Sequence, residues 1–184
     1  MVQGTRVVVV TGVSASGKST VGVRLARRLG VPFLEGDDLH PEANRAKMAS
    51  GHPLDDADRR PWLAALAAWI RSAAASGRGG VVTCSALKRE YRDQFRRTGA
   101  HVWFLHLSVD RATAAERIAR RKGHFMPPRL LDSQYEVLEP LEPDEPGATV
   151  EASGSPEDVL AAALRAATGP DGERPPHRRD GPGT

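Results

Sequence analysis

The sequence predicts an α/β fold built on a mainly parallel sheet, and three observations carry that reading. Apolar runs rich in β-branched residues alternate with helix-period segments along most of the chain. The first run, RVVVVT at 6–11, is continuous rather than alternating, as a strand covered on both faces requires. It runs directly into the glycine-containing stretch GVSASGKST at 12–20, where a helical pattern begins.

In that helix Val21, Leu25, Ala26 and Leu29 fall on one face, and Gly30 followed by Pro32 stops it. VPFLEG then reads as a second, short strand. From Asp37 to Asp58 the chain turns polar, with a short helix in HPEANRAKMASG that ends at Gly51. Residues 61–75 carry the clearest amphipathic pattern, a stripe of Trp62, Leu63, Leu66, Trp69 and Ile70. Pro61 is expected in the first turn of this helix, where its missing N–H has no partner to lose.

After the turn GRGG, VVTCSAL reads as a third strand, followed by a charged helix from about Lys88 to Arg97. HVWFLHLSV is the fourth strand and DRATAAERIARR an arginine-rich helix. KGHFMPP breaks that helix, and LLDSQYEVLE starts the next. ATVEAS reads as the last strand and SPEDVLAAALRAA as a closing helix, with Ser155 as N-cap and Pro156 in its first position.

A chain of 184 residues supports one substantial core, placed at 1–168. The remainder, 169–184, is half Gly and Pro and nearly neutral, a composition expected to be disordered. No apolar run approaches the roughly 20 residues of a membrane span, and the N-terminus lacks a signal-type apolar core. Cys84 is the only cysteine, which excludes an intrachain disulfide and a cysteine-based zinc cage and fits a cytoplasmic protein. A net charge of +3 with acids interspersed among the bases argues against nucleic acid as a partner. Oligomeric state is not legible, and a homodimer stays open.

Residues Gly12, Val13, Ser14, Ala15, Ser16, Gly17, Lys18 and Ser19 match G-x-x-x-x-G-K-S between a strand and a helix, and Thr20 follows. Such a loop curls its backbone N–H groups toward phosphate oxygens, and the helix N-terminus adds partial positive charge. Lys18 is placed to reach the β- and γ-phosphates, and the Ser19 hydroxyl to ligate magnesium. A GTP-dependent switch would need a strand ending in Asp-Gly and an Asn-Lys-x-Asp stretch, and neither is present. The loop therefore points to phosphoryl transfer onto a small molecule or nucleoside and leaves the acceptor open.

The acceptor is carried by residues 35–63. The pattern GD-x-LHP-x-x-N-x-x-KM-x-x-G-x-PL-x-D-x-DR-x-PWL appears as Gly36, Asp37, Leu39, His40, Pro41, Asn44, Lys47, Met48, Gly51, Pro53, Leu54, Asp56, Asp58, Arg59, Pro61, Trp62 and Leu63. With CSALKREYRD at 84–93 and RKGHFM at 121–126, the chain up to about Ala167 resembles the gluconate kinases, small P-loop kinases related to the shikimate kinases.

The resemblance implies a P-loop nucleoside-kinase-like three-layer fold with a mobile lid at about 121–130. It implies ATP- and Mg²⁺-dependent conversion of D-gluconate to 6-phospho-D-gluconate, feeding sugar-acid catabolism and the pentose phosphate pathway. Asp37 is then the candidate base, with Asp38 as its rival; both also fit as caps of the segment after the strand. His40, Lys47, Arg59, Ser85, Lys88, Arg92 and His124 are the candidate substrate contacts, although a turn-fixing His40 and surface roles for the cations fit the residues alone equally well. Arg117 and Arg121 are the candidate lid arginines over the phosphates, Arg121 with a catalytic role beside Lys18. Two positions depart from the family pattern: Ala15 where glycine is common, and Glu35 where aspartate is usual. The third strand ends without a magnesium-orienting aspartate, an absence the family shares. A kinase of another hydroxy acid such as shikimate, and a non-catalytic nucleotide-binding protein, are the alternatives.

Overall fold

The structure, a computed structural model, describes residues 5–123 and 126–169. Along them run β1 (Arg6–Thr11), α1 (Lys18–Leu29), β2 (Phe33–Glu35), a 3-10 turn (Gly36–Leu39), α2 (Glu42–Ala49), α3 (Asp56–Ala75) and β3 (Gly80–Thr83). Then follow α4 (Arg89–Arg96), β4 (His101–Ser108), α5 (Arg111–Arg120), α6 (Pro128–Val137), β5 (Gly147–Glu151) and α7 (Pro156–Thr168). The expected tail lies, beyond Gly169, outside the described residues.

The strands form one sheet in the order β2-β3-β1-β4-β5, and every pairing is parallel. Parallel neighbours need long crossovers, so helices cover both faces. That explains the unbroken valines of β1. Val7 and Val9 pack with Trp62, Leu63, Leu66 and Ile70 of α3 and Phe95 of α4. Val8 and Val10 pack on the other face with Val21 and Leu25 of α1 and Val159 and Ala163 of α7. A third, smaller cluster of Val13, Leu87, Val109, Ala114 and Leu131 lies under the glycine loop and joins it to α5 and α6. Among the described residues no helix is long and apolar enough to cross a membrane.

Local rules set most boundaries. α1 stops where Gly30 takes a left-handed φ of 67°. Ser155 caps α7 by accepting the Asp158 N–H.

Three boundaries differ from expectation. α3 begins at Asp56 because Asp55 and Asp58 form a reciprocal capping box: the Asp58 N–H donates to Asp55 at 2.8 Å and the Asp55 N–H to Asp58 at 2.9 Å. Pro61 therefore sits in the second turn, where it removes the donor that would answer the Ala57 carbonyl. β3 ends at Thr83, and after Cys84 the chain turns through Ala86, at φ 38°, into α4.

The third difference bears on function. The two aspartates after β2 lie on a 3-10 turn rather than in an open loop. Gly36 starts that turn so close to β3 that a Cβ there would lie 1.9 Å from the Thr83 carbonyl oxygen. Its own carbonyl accepts the Trp62 indole N–H at 2.8 Å. Gly36 is thus pinned to β3 and α3, and the next residue, Asp37, is thrust out at the carboxyl edge of the sheet.

Candidate active site

The loop after β1 occupies the carboxyl edge at the centre of the sheet, where open α/β sheets bind ligands. Gly12 (φ 144°) is required by close approach, since a Cβ would lie 2.7 Å from the Leu107 carbonyl oxygen. Gly17 caps α1 without a side-chain hydrogen bond, and no acid occupies the first turn, so the helix presents an uncompensated positive end to an anion. Lys18 lies across the loop, its Nζ donating to the Gly12 carbonyl at 3.0 Å and the Val13 carbonyl at 2.9 Å. Burial lowers the pKa of its ammonium, opposed by the nearby Asp37, Cys84 and Glu35 and assisted by Arg121. Those neighbours put Lys18, Asp37 and Arg121, far apart in sequence, in one electrostatic environment.

Ser19 donates its hydroxyl to Glu35 at 2.6 Å, and Thr83 donates to the other Glu35 oxygen. Thr83 in turn accepts the Gly36 N–H at 3.1 Å. Among the described residues no cluster of three His, Cys, Asp or Glu side chains could cage a metal. The hard oxygens of Ser19 and Glu35 nonetheless suit magnesium, an ion that keeps much of its water and takes few protein ligands.

On the acceptor side the Asp37 side chain is 71% exposed. His40 behind it is buried, stacked on Trp62 with ring centroids 4.1 Å apart, and its Nε2 lies 3.9 Å from Asp37. Burial lowers its pKa, which keeps the ring neutral. The Asn44 amide donates to the Asp58 carbonyl at 2.8 Å and reaches His40 Nδ1 at 3.3 Å, which leaves the ring proton on Nε2, facing Asp37. Trp62 is 2% exposed and belongs to the core on that face of the sheet.

The expected cations separate by their partners. Lys47 is held by Asp58 at 2.6 Å, and Lys88 by Asp56 at 3.0 Å. Arg59 has no carboxylate partner among the described residues; its guanidinium lies 5.7 Å from the Tyr91 ring centroid and donates to the Tyr91 hydroxyl at 3.4 Å. Ser85 adjoins the loop, its carbonyl accepting the Gly12 N–H at 3.5 Å. Thr20 is exposed in the first turn of α1.

Arg92, expected as a substrate or phosphate contact, is instead an internal strut. Its side chain is 2% exposed and pairs with the fully buried Glu145 through Nε at 2.7 Å and Nη2 at 2.9 Å. Its remaining N–H groups reach the carbonyls of Ala86, Leu87, Glu139 and Pro140. The charged helix gave no sign of this, because the partner lies in the distant loop before β5.

Arg117 also has internal work: it donates to the Ala15 carbonyl at 3.1 Å and the Ala152 carbonyl at 2.6 Å, tying the glycine loop to the end of β5. Arg121 caps α5 and is exposed. His124 lies outside the described residues. Burial pushes the Cys84 thiol up to about 12, which leaves it inert.

One contact had no signal in the sequence. Gln134 of α6 accepts the Ser14 N–H at 2.7 Å and donates to the Ser14 hydroxyl at 3.0 Å. A lone glutamine on an amphipathic helix reads as surface. The Glu35 bridge was not anticipated either: in the sequence Glu35 stood out only as a departure from the usual aspartate.

A phosphate loop on the central parallel strand, with a lysine and a hydroxyl at its helix mouth and a projecting carboxylate two strands away, defines a P-loop small-molecule kinase. Residues 7–141 match the AAA_33 family, described as an AAA domain. The Gluconobacter oxydans gluconokinase is 49% identical over 160 residues, 87% of this chain and 90% of that protein. The thermosensitive gluconokinase of Escherichia coli is 46% identical over 74% of this chain and 73% of its own length. The crystal structure of a gluconokinase from Sinorhizobium meliloti 1021 superposes with a TM-score of 0.80 at 42% identity, covering 89% of this chain and 91% of that one. The chain belongs to the gluconokinase family.

Proposed function

We propose that the protein transfers the γ-phosphoryl group of ATP to the primary hydroxyl of D-gluconate, giving 6-phospho-D-gluconate and ADP. The observation that carries this reading is Asp37, an exposed carboxylate fixed at the sheet's carboxyl edge and electrostatically close to Lys18. The backbone carbonyl of its neighbour Asp38 accepts from Arg45 at 2.6 Å.

The acceptor hydroxyl gives its proton to the Asp37 carboxylate, its oxygen forms a bond to the γ-phosphorus, and the bond to the β–γ bridging oxygen breaks as ADP leaves. The His40 Nε2–H steadies Asp37 from behind. Lys18 swings from the Gly12 and Val13 carbonyls to the phosphates, and Lys18 with Arg121 neutralises charge on the transferring group. Mg²⁺, held through Ser19 with Glu35 behind it, supplies further charge neutralisation when bound. Arg59, which has no carboxylate partner among the described residues, suits the gluconate carboxylate. Lys47, Lys88 and Ser85 are the candidate hydroxyl contacts. Most of the rate comes from positioning and electrostatics.

ADP release measured against a panel of sugar acids and shikimate tests this reading. Gluconate-dependent release is expected; release with shikimate but not gluconate would sink it, and ADP binding without any acceptor-dependent release would mark a non-catalytic nucleotide binder.

A further inference from the structure

Ala15 is buried in the glycine loop with φ at 64°, a left-handed conformation that disfavours any residue with a Cβ. Such a state persists only where the surroundings impose it. Here it is imposed from two sides. Gln134 grips the preceding residue, Ser14, through both its backbone N–H and its hydroxyl, at 2.7 and 3.0 Å. Arg117 holds the Ala15 carbonyl at 3.1 Å.

Both grips come from anchored helices. α6 is seated by Leu131, in the cluster beneath the loop that also contains Val13, and by Tyr135, whose hydroxyl donates to the Val109 carbonyl at 2.8 Å. Arg117 is braced by its second bond to the Ala152 carbonyl. Neither Gln134 nor Arg117 therefore needs to reorganise to hold the loop.

We propose that Gln134 is a positioning residue for nucleotide binding. Its two-point clamp on Ser14, opposed by Arg117, holds Ala15 in the left-handed turn before the nucleotide arrives and does for alanine what backbone freedom does for glycine. The strain is then settled during folding instead of being charged against each binding event. This rests on reading residues 12–20 as the nucleotide loop.

The test is a double-mutant cycle on the full chain, with ADP affinity read by calorimetry for wild type, Gln134→Ala, Ala15→Gly and the double variant. Without the clamp the loop relaxes, and the nucleotide must restore the turn. Gln134→Ala is expected to weaken ADP about tenfold, within the range of a left-handed alanine's penalty. Ala15→Gly is expected to recover most of that loss in the Gln134→Ala background and to change affinity by a clearly smaller factor in the wild type. Equal factors in both backgrounds would overturn the proposal, because a merely structural Gln134 gives additive effects. Unchanged or tighter ADP binding by Gln134→Ala would also overturn it. Thermal melts establish folding; if Gln134→Ala does not fold, Ser14→Ala removes the hydroxyl leg alone and carries the same cycle with a smaller shift. Failure of the wild-type chain to bind ADP would instead remove the nucleotide-loop reading itself.

Discussion

The Ser19 hydroxyl donates to Glu35 at 2.6 Å, joining the first turn of α1 to the last residue of β2. Glu35 also accepts from Thr83 of β3, so the side chain that aims Ser19 is itself fixed by a neighbouring strand. Outer-shell partners of this kind typically matter by 10- to 100-fold. Glu35→Gln is expected to lower kcat within about that range and to raise the magnesium concentration needed for half-maximal rate. A magnesium titration of the variant that overlays the wild type would detach Glu35 from Ser19's role.

Asp37 contributes to the electrostatic environment of Lys18, and the proposed transfer makes it the proton acceptor. Asp37→Asn keeps the shape and removes the base, so kcat should fall by about 10²–10⁴-fold while ATP affinity changes far less. Steady-state kinetics with a direct ATP-binding measurement separate the two effects. An unchanged kcat would pass the role to Asp38.

Arg92 and Glu145 are a buried pair, 2% and 0% exposed. Glu145→Ala strands the guanidinium, and the expected loss of stability is about 3–5 kcal/mol, seen in denaturant unfolding. A loss near zero, accompanied by a raised KM for gluconate, would return Arg92 to the substrate contacts.

His106 is buried on β4 within 3.1 Å of the Thr11 hydroxyl, and burial, with Arg92 and Lys18 nearby, lowers its pKa to about 4. Between the unfolded value near 6.5 and 4, the unfolded chain takes up a proton at this ring and the native chain does not. Its contribution is therefore complete above 6.5 and is lost as pH falls through that window, by about 1.4 kcal/mol per pH unit. Burial lowers His40 and His101 as well, which steepens the same trend. Unfolding free energies at pH 6.5, 5.5 and 4.5 should decline accordingly, and His106→Gln should flatten the decline.

Much of the fold is written locally. RVVVVT names a doubly covered strand because a β-branched run can alternate its side chains onto two helical layers, and Val7 and Val8 do go to opposite faces. Gly30, Ser155 and Pro156 act through backbone conformation and caps within a few residues, so their effect travels with the sequence. The start of α3 was also locally encoded, but in an all-aspartate capping box that the more familiar Ser/Thr-x-x-Glu spacing does not flag.

What could not be read were the partners of long side chains. Arg92 and Arg117 sit among arginines of identical local character, yet one lies against Glu145 and the other against the carbonyls of Ala15 and Ala152. A guanidinium reaches several ångströms in any direction, and its fate depends on which distant loop folds over it.

The sequence by itself determined the phosphate loop, the parallel α/β scaffold and the kinship of residues 35–63, because glycines, β-branched runs and caps impose their conformations on their own neighbours. Only the tertiary structure decided which side chains share the cleft. The parallel sheet brings the ends of β1, β2 and β3 to one edge, where Ser19 meets Glu35 and Lys18 comes close to Asp37. The packing of α6 under the glycine loop, set by Val13 and Leu131, is what delivers Gln134 to Ser14.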